Sequence, residues 1–439
     1  MKFSNLPLSL TDMSAPVIGI ASRTQTPKGL RLHIGLFGRR NAGKSSLINA
    51  LTNQKIAIVS DVPGTTTDPV EKACELAPIG PVVFIDTAGV DDVGELGGLR
   101  TERSLAVLGW VDVALIVCDA KALTESELEL IRTVKSTATP TVVVLNKADT
   151  ADAKELIATQ EQVRSLGYEP VTVCASLKLN IDAVREAIVK LAQNAVEPDL
   201  PLLGDLVHPG DTVMLVTPID TGAPKGRMIL PQVQAIREVL DADAKCIVVR
   251  ENRLAETLTN EKEPPAFVVT DSQVVQSVVA QTPKTIPVTT FSIQMAYSKC
   301  DLVEMARGAA MIDFLRPGDK VMICETCSHH PQPDDIGRKK LPRWLAKKVG
   351  GELDIEVVVG KDFPVDLTPY KLILQCGGCV VTRRHMLTRL AQAKRQNIPM
   401  TNYGVAISHL QGVLERALEL HPKALKAFHE AREIFANHF

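Results

Sequence analysis

Neither sign of charge dominates this 439-residue sequence: 49 Lys and Arg stand against 51 Asp and Glu, a formal charge of −2. A chain so balanced has no global basic field with which to gather nucleic acid. Also missing is any apolar run near the roughly 20 residues that a membrane-spanning helix needs, so no membrane partner is expected. Residues 1–30 hold no secretory signal, because the apolar stretch from Ala15 to Ala21 is too short and poorly flanked. They read as a flexible N-terminal segment; with one acidic residue among several serines and basic residues, a transit peptide stays open. Nine cysteines without a secretion signal suggest reduced thiols or metal ligands rather than disulfides. The remainder, 45% hydrophobic and 23% charged, is ordinary globular composition, placed in the cytoplasm and long enough for about three domains.

The most informative stretch is Gly38-Arg39-Arg40-Asn41-Ala42-Gly43-Lys44-Ser45-Ser46, which fits G-x-x-x-x-G-K-[ST]. The apolar run His33 to Phe37 before it reads as a strand, and Ser46 to Leu51 after it opens a helix. A strand, a glycine loop and a helix aim backbone N–H groups and the positive end of a helix dipole at a phosphate. Lys44 is expected on the β/γ-phosphates, and the Ser45 hydroxyl on Mg²⁺.

The order of the next motifs names the base. Val82 to Ile85 is a buried strand ending in Asp86-Thr87-Ala88-Gly89, where Asp86 would hold Mg²⁺ through water and the Gly89 amide would sense the γ-phosphate. Asn146-Lys147-Ala148-Asp149 follows another strand, and Cys174-Ala175-Ser176 a later one. A carboxylate at Asp149 accepts from guanine N1–H and N2–H₂, a donor pair that adenine lacks. A backbone amide in Cys174-Ala175 would meet guanine O6. The expected nucleotide is therefore GTP. Between the two phosphate motifs, a hydroxyl of Thr65 or Thr66 in Gly64-Thr65-Thr66-Thr67 would complete the Mg²⁺ shell when the γ-phosphate is present. Val90 stands where many GTPases carry a water-orienting Gln, so intrinsic hydrolysis should be slow or depend on something else. The set resembles the TrmE–Era branch of GTPases, and that resemblance implies an activating K⁺ near Asn41.

Beyond the proline-punctuated linker Glu197-Pro198-Asp199-Leu200-Pro201 the sequence repeats itself. Gly210-Asp211-Thr212-Val213 returns as Gly318-Asp319-Lys320-Val321, Leu230-Pro231 as Leu341-Pro342, and Ile286-Pro287 as Ile398-Pro399, at offsets of about 104 to 112 residues. The predicted fold class is α/β: a P-loop GTPase domain at 31–197, followed by two related α/β domains with mainly parallel sheets, at 205–290 and 292–439. Only the second copy carries Cys324-Glu325-Thr326-Cys327-Ser328-His329-His330 after its first strand and Cys376-Gly377-Gly378-Cys379 after a later one. Loops at the carboxyl ends of parallel strands converge, so the thiols can share a metal. Spacing alone fits structural zinc or an iron–sulfur cluster.

Taken in order, the phosphate and guanine motifs, Ala223-Pro224-Lys225-Gly226-Arg227, Cys327-Ser328-His329-His330, Asp334 to Arg338 and Cys376 to Cys379 resemble the HydF family of FeFe-hydrogenase maturation GTPases. The resemblance runs from about Arg31 to the C-terminus. It implies a GTPase domain, a homodimerisation domain and a domain with a 4Fe–4S cluster. It also implies a scaffold or carrier that receives a diiron subcluster from radical-SAM maturases and passes it to apo FeFe-hydrogenase. The ligands it implies are Cys327, Cys376 and Cys379, with His329 as the near histidine. The chain departs from the family pattern at Gln375, where a second histidine is expected, so the fourth ligand stays open among Cys324, His329 and His330. The alternatives are an RNA- or ribosome-associated TrmE–Era-type GTPase, for which a basic C-terminal module is missing, and a zinc-stabilised regulatory GTPase.

Overall fold

The computed structural model describes residues 28–52, 70–87, 106–137, 139–194, 200–219, 228–326, 335–360 and 363–437. In the first domain, β1 (Leu32–Phe37), β3 (Gly80–Asp86), β4 (Val113–Asp119) and β5 (Thr141–Asn146) are near-continuous apolar runs. Such runs belong in a parallel sheet covered on both faces. The sheet order is β2-β3-β1-β4-β5-β6, with β2 at Val70–Leu76 and β6 at Val171–Thr172. Helices Lys44–Thr52 and Ile181–Asn194 cover one face through Leu47, Ile48, Val184 and Ile188. Helix Glu125–Ser136 covers the other through Leu130, Ile131 and Val134. The edge strand β2 (Val70–Leu76) runs antiparallel to β3 and was not foreseen. Its sequence Val-Glu-Lys-Ala-Cys-Glu-Leu is too polar to read as a buried strand, and charges suit an edge that must not pair further.

The inferred repeat is real in the backbone. β7 (Thr212–Val216), β8 (Lys245–Val249), β9 (Phe267–Thr270) and β10 (Val288–Thr290) form one sheet in the order β10-β9-β7-β8. β11 (Lys320–Glu325), β12 (Asp354–Val359), β13 (Leu372–Gln375) and β14 (Met400–Asn402) form another in the order β12-β11-β13-β14. Read from β14, that is the same topology, and every pairing in both sheets is parallel. The turns before the first strands also match. Gly210 and Gly318 take φ of +86° and +87°, and the Asp211 and Asp319 carboxylates accept from the amides of His208 and Arg316, both at 2.8 Å. Equivalent helices, Phe291–Lys299 and Tyr403–Leu410, start on the polar caps Thr290 and Asn402. They lie against each other, with Asn402 Nδ2 donating to the Ser292 carbonyl at 2.7 Å.

The first domain also touches the third. Trp110 packs edge-on to His33 of β1 and stacks at 6.5 Å on His385 of helix Arg383–Arg395. Arg384 donates to Thr139; nearby, the buried Lys299 ammonium, at the end of the second-domain helix Phe291–Lys299, donates to the Gly29 carbonyl. A cleft of about 1060 Å³ opens beside this contact, between Arg31, Asp112, Arg384 and Arg395.

Candidate functional site

The nucleotide site grows out of the end of β1. In the loop that follows, Gly38 has φ +150° and Gly43 φ +93°; a Cβ on either would lie 2.2 Å from the Val117 carbonyl oxygen or the Asn146 side-chain amide. Asn41 takes the left-handed conformation at φ +61° and is exposed at the loop tip, as is Ser46 in the first helical turn; Ala42 is buried. Lys44 folds back over the loop and donates from Nζ to the carbonyls of Gly38 and Arg39 at 2.9 and 3.0 Å. Ser45 Oγ donates to Asp86 Oδ2 at 2.7 Å. Asp86 Oδ1 is buried and has no hydrogen-bond partner among the described residues. Burial pushes the Asp86 carboxyl up, against the Ser45 hydroxyl and the Lys44 charge. A hydroxyl beside an orphaned carboxylate oxygen is the hard-oxygen donor set that Mg²⁺ prefers. Thr65, Thr66 and Gly89 lie outside the described residues.

The base end is held by Asn146, which is 2% exposed. Its Nδ2 donates to the Ala42 carbonyl at 2.9 Å and its Oδ1 accepts from the Ala175 amide at 3.0 Å. One side chain thereby ties the phosphate loop to the Cys174-Ala175 loop. Lys147, at φ +61°, reaches Asp119 at 3.2 Å, where Arg39 also pairs. The exposed Asp149 accepts from the Cys174 thiol through Oδ1 at 2.9 Å.

The second candidate centre lies where β11 and β13 end side by side. Cys324 is not in the loop after β11, where the sequence reading put it, but inside the strand. The ladder runs on to Glu325, and period-2 alternation sends Cys324 with Met322 into the apolar core. Burial pushes its thiol up to about 12. Cys376 follows β13 directly, its amide donating to the Cys324 carbonyl at 2.9 Å. Its sulfur meets the Thr326 amide at 3.2 Å and the Thr326 hydroxyl at 3.1 Å. Gly378 turns the loop at φ +67°, where a Cβ would lie 2.8 Å from Met386 Sδ. Cys379 packs at the edge of the core around Phe291 and Met295, and burial pushes its thiol up to about 11. Cys327, His329 and His330 lie outside the described residues, though Thr326, beside Cys327, is the residue that meets Cys376. Among the described residues no three His, Cys, Asp or Glu side chains form a metal-binding group. Two thiols at a glycine turn, one of them receiving an N–H donor with a hydroxyl beside it that can donate to a thiolate, are a soft donor set that fits an iron–sulfur cluster.

Sequence reasoning missed the surroundings of this centre. Gln375 is fully buried, with Arg389 NH1 donating to its Oε1 at 3.0 Å. Tyr403 has a buried hydroxyl without a hydrogen-bond partner among the described residues, and Glu325 pairs with Arg338 at 3.0 Å. Gly337 lies against both, since a Cβ there would come within 2.5 Å of the Tyr403 hydroxyl and 2.6 Å of Glu325 Oε1. Gln375 and the Asp334 to Arg338 stretch stand out through the family resemblance, but no local pattern marks the contacts they make.

Comparison with known proteins matches three family models to successive stretches of the chain. A model described as 50S ribosome-binding GTPase matches residues 33–147, the hydrogen maturase F dimerization domain matches 202–300, and the hydrogen maturase F tetramerization domain matches 303–420. GTPase Der of Sulfurihydrogenibium sp. (strain YO3AOP1) is 34% identical over 174 residues, covering 37% of this chain and 39% of that protein. The tRNA modification GTPase MnmE of Caldicellulosiruptor saccharolyticus is 31% identical over 179 residues, covering 39% of this chain and 37% of its own. The match thus spans about two fifths of the length of these curated relatives. A solved structure of Era from Aquifex aeolicus aligns with 50% of this chain and 93% of its own, at 20% identity and a TM-score of 0.33. With a GTPase domain in front and both hydrogen maturase F domains in tandem behind it, the chain belongs to the hydrogen maturase F family.

Proposed function

We propose that this chain is a GTP-binding and GTP-hydrolysing maturation factor. In this reading it is a homo-oligomeric scaffold or carrier that takes up a diiron subcluster from radical-SAM maturases and delivers it to apo FeFe-hydrogenase. The observation that carries the cargo half is the meeting of the Cys376-Gly377-Gly378-Cys379 loop with Thr326, the residue before Cys327, in a chain of this family. Cys327, Cys376 and Cys379 would hold a 4Fe–4S cluster, which supplies an iron corner to which a second metal fragment can attach. A fourth thiolate would close that corner. Cys324 faces the apolar core and supports the open-corner reading, while His329 and His330 are the remaining rivals.

For the GTP half, Lys44 exchanges its two loop carbonyls for the β/γ-phosphates, and Asp149 reads the guanine edge. Ser45 and Asp86 would hold Mg²⁺, which supplies charge stabilisation at the β/γ-oxygens. In this reading the Gly89 amide senses the γ-phosphate and the Thr65 or Thr66 hydroxyl completes the Mg²⁺ shell. The reading places the protein in the cytoplasm, where its proposed partners would be met. Among the described residues no helix is long and apolar enough to cross a membrane.

The test is anaerobic purification followed by EPR and iron counting, since zinc is silent in EPR. Cys324→Ala should keep the iron, while Cys327→Ala, Cys376→Ala and Cys379→Ala should lose or degrade it. Equal loss in Cys324→Ala and Cys327→Ala would return the centre to a closed four-thiolate cage.

A further inference from the structure

Gln375 stands where a ligand histidine was expected, and its amide is fully committed in the interior. Arg389 carries donors only, so the oxygen of the Gln375 amide must be the end that faces it. That orientation fixes the other end. Nε2 lies 3.5 Å from the Cys376 sulfur and 3.5 Å from the Cys324 carbonyl oxygen, both acceptors. Arg389 is itself anchored, donating from NH2 to the Gly360 carbonyl at 2.9 Å and lying 5.0 Å over the Phe363 ring. The side chain therefore offers no free oxygen at the loop, and its N–H joins the Thr326 amide on one sulfur, to which the Thr326 hydroxyl also donates once that sulfur is a thiolate ligand. Cys379, four residues on, sits against apolar side chains instead.

We propose that Gln375, oriented by Arg389, is a positioning residue. It and Thr326 concentrate hydrogen bonds on the Cys376 sulfur and thereby raise the reduction potential of the bound cluster. The inference rests on the cluster reading above. Hydrogen bonds to a cluster's sulfurs stabilise the more negative, reduced state, so each donor shifts the potential upward. The asymmetry has a use in a carrier. Cys376, which would hold one iron of the cluster, is tied to the ends of two central strands through Thr326 and Gln375, a rigid support on that side of the loop.

The experiment uses the full chain, reconstituted without oxygen with ferrous iron and sulfide and titrated with dithionite under EPR. Gln375→Met removes the N–H at similar volume and adds no charge, and Thr326→Val removes only the hydroxyl. Each should lower the midpoint potential while the protein stays folded by far-UV circular dichroism. Thr326→Ser should return the wild-type value, because it keeps the donor. Loss of iron from a folded Gln375→Met protein would report on ligation rather than on the potential, and the Thr326 pair then decides the case. Should Gln375→Met fail to fold, the Thr326 pair decides the case. A wild-type cluster whose potential neither substitution moves overturns this inference alone. A wild-type chain that takes up zinc but no EPR-active cluster overturns the cluster reading, and this inference with it.

Discussion

In the proposed guanine site, Asp149 has Oδ1 already engaged by the Cys174 thiol, so its remaining acceptor capacity is what the base would use. Asp149→Asn replaces that capacity with a donor and faces the N1 and N2 donors with an amide. The loss should be about 3 kcal/mol, roughly a hundredfold in GTP affinity. Xanthosine triphosphate, which presents a 2-oxo acceptor, should bind the variant better than GTP does; GTP affinity unchanged in a titration would refute the assignment. Asn41 supports a second expectation. It is held in a left-handed turn at the exposed loop tip, from which a side-chain oxygen can meet a monovalent cation near the phosphates. With Val90 unable to orient water, slow hydrolysis should be faster in K⁺ than in Na⁺ at matched ionic strength. Equal rates would remove the cation.

Among the elements, the C-terminal domain is fastened through one short segment, Ala310–Phe314. Its Asp313 pairs with His409 of helix Tyr403–Leu410 at 3.0 Å, Lys348 of helix Leu341–Val349 at 2.8 Å and Arg432 of helix Pro422–Ala436 at 3.1 Å. Burial alone would raise this carboxyl, but hydrogen bonds from His409 and Lys348 outweigh it and hold the group well below the usual carboxylate range. A depressed folded pKa means stabilisation that is complete above the unfolded value near 4 and is lost as pH falls further. Asp313→Asn should cost about 2 kcal/mol at pH 7, and the gap from wild type should close in thermal melts at progressively lower pH below about 4. A gap that stays constant with acid would show that packing, not the carboxylate, is what was lost. These elements also show how far the sequence reaches. The phosphate loop, Asp86 and Asn146 were readable because strand, turn and helix lie within a few residues of one another. The repeat was readable because turns such as Gly210-Asp211 and Gly318-Asp319 are local devices. β2 was not, since an edge strand with polar residues has no apolar period. The Thr326–Cys376 and Arg389–Gln375 contacts were not either, because 50 and 14 residues separate the partners and neither alone has a pattern.

At the scale of the molecule, GTPase and C-terminal domains share a contact whose centre is Trp110, 7% exposed between His33 and His385. The Arg384–Thr139 hydrogen bond adds to it. A buried Trp truncated to Ala costs about 3–5 kcal/mol, and here part of that loss falls on the contact between domains rather than within either core. Trp110→Ala should therefore uncouple their unfolding. In calorimetry the variant should show a lower transition for the GTPase domain, split from that of the C-terminal domain. GDP with Mg²⁺ binds only the folded GTPase domain, so it should raise the first transition and leave the second in place. In the wild type the same ligand should move the two together. If GDP moves both transitions in the variant as it does in the wild type, the Trp110 contact is not what joins the domains.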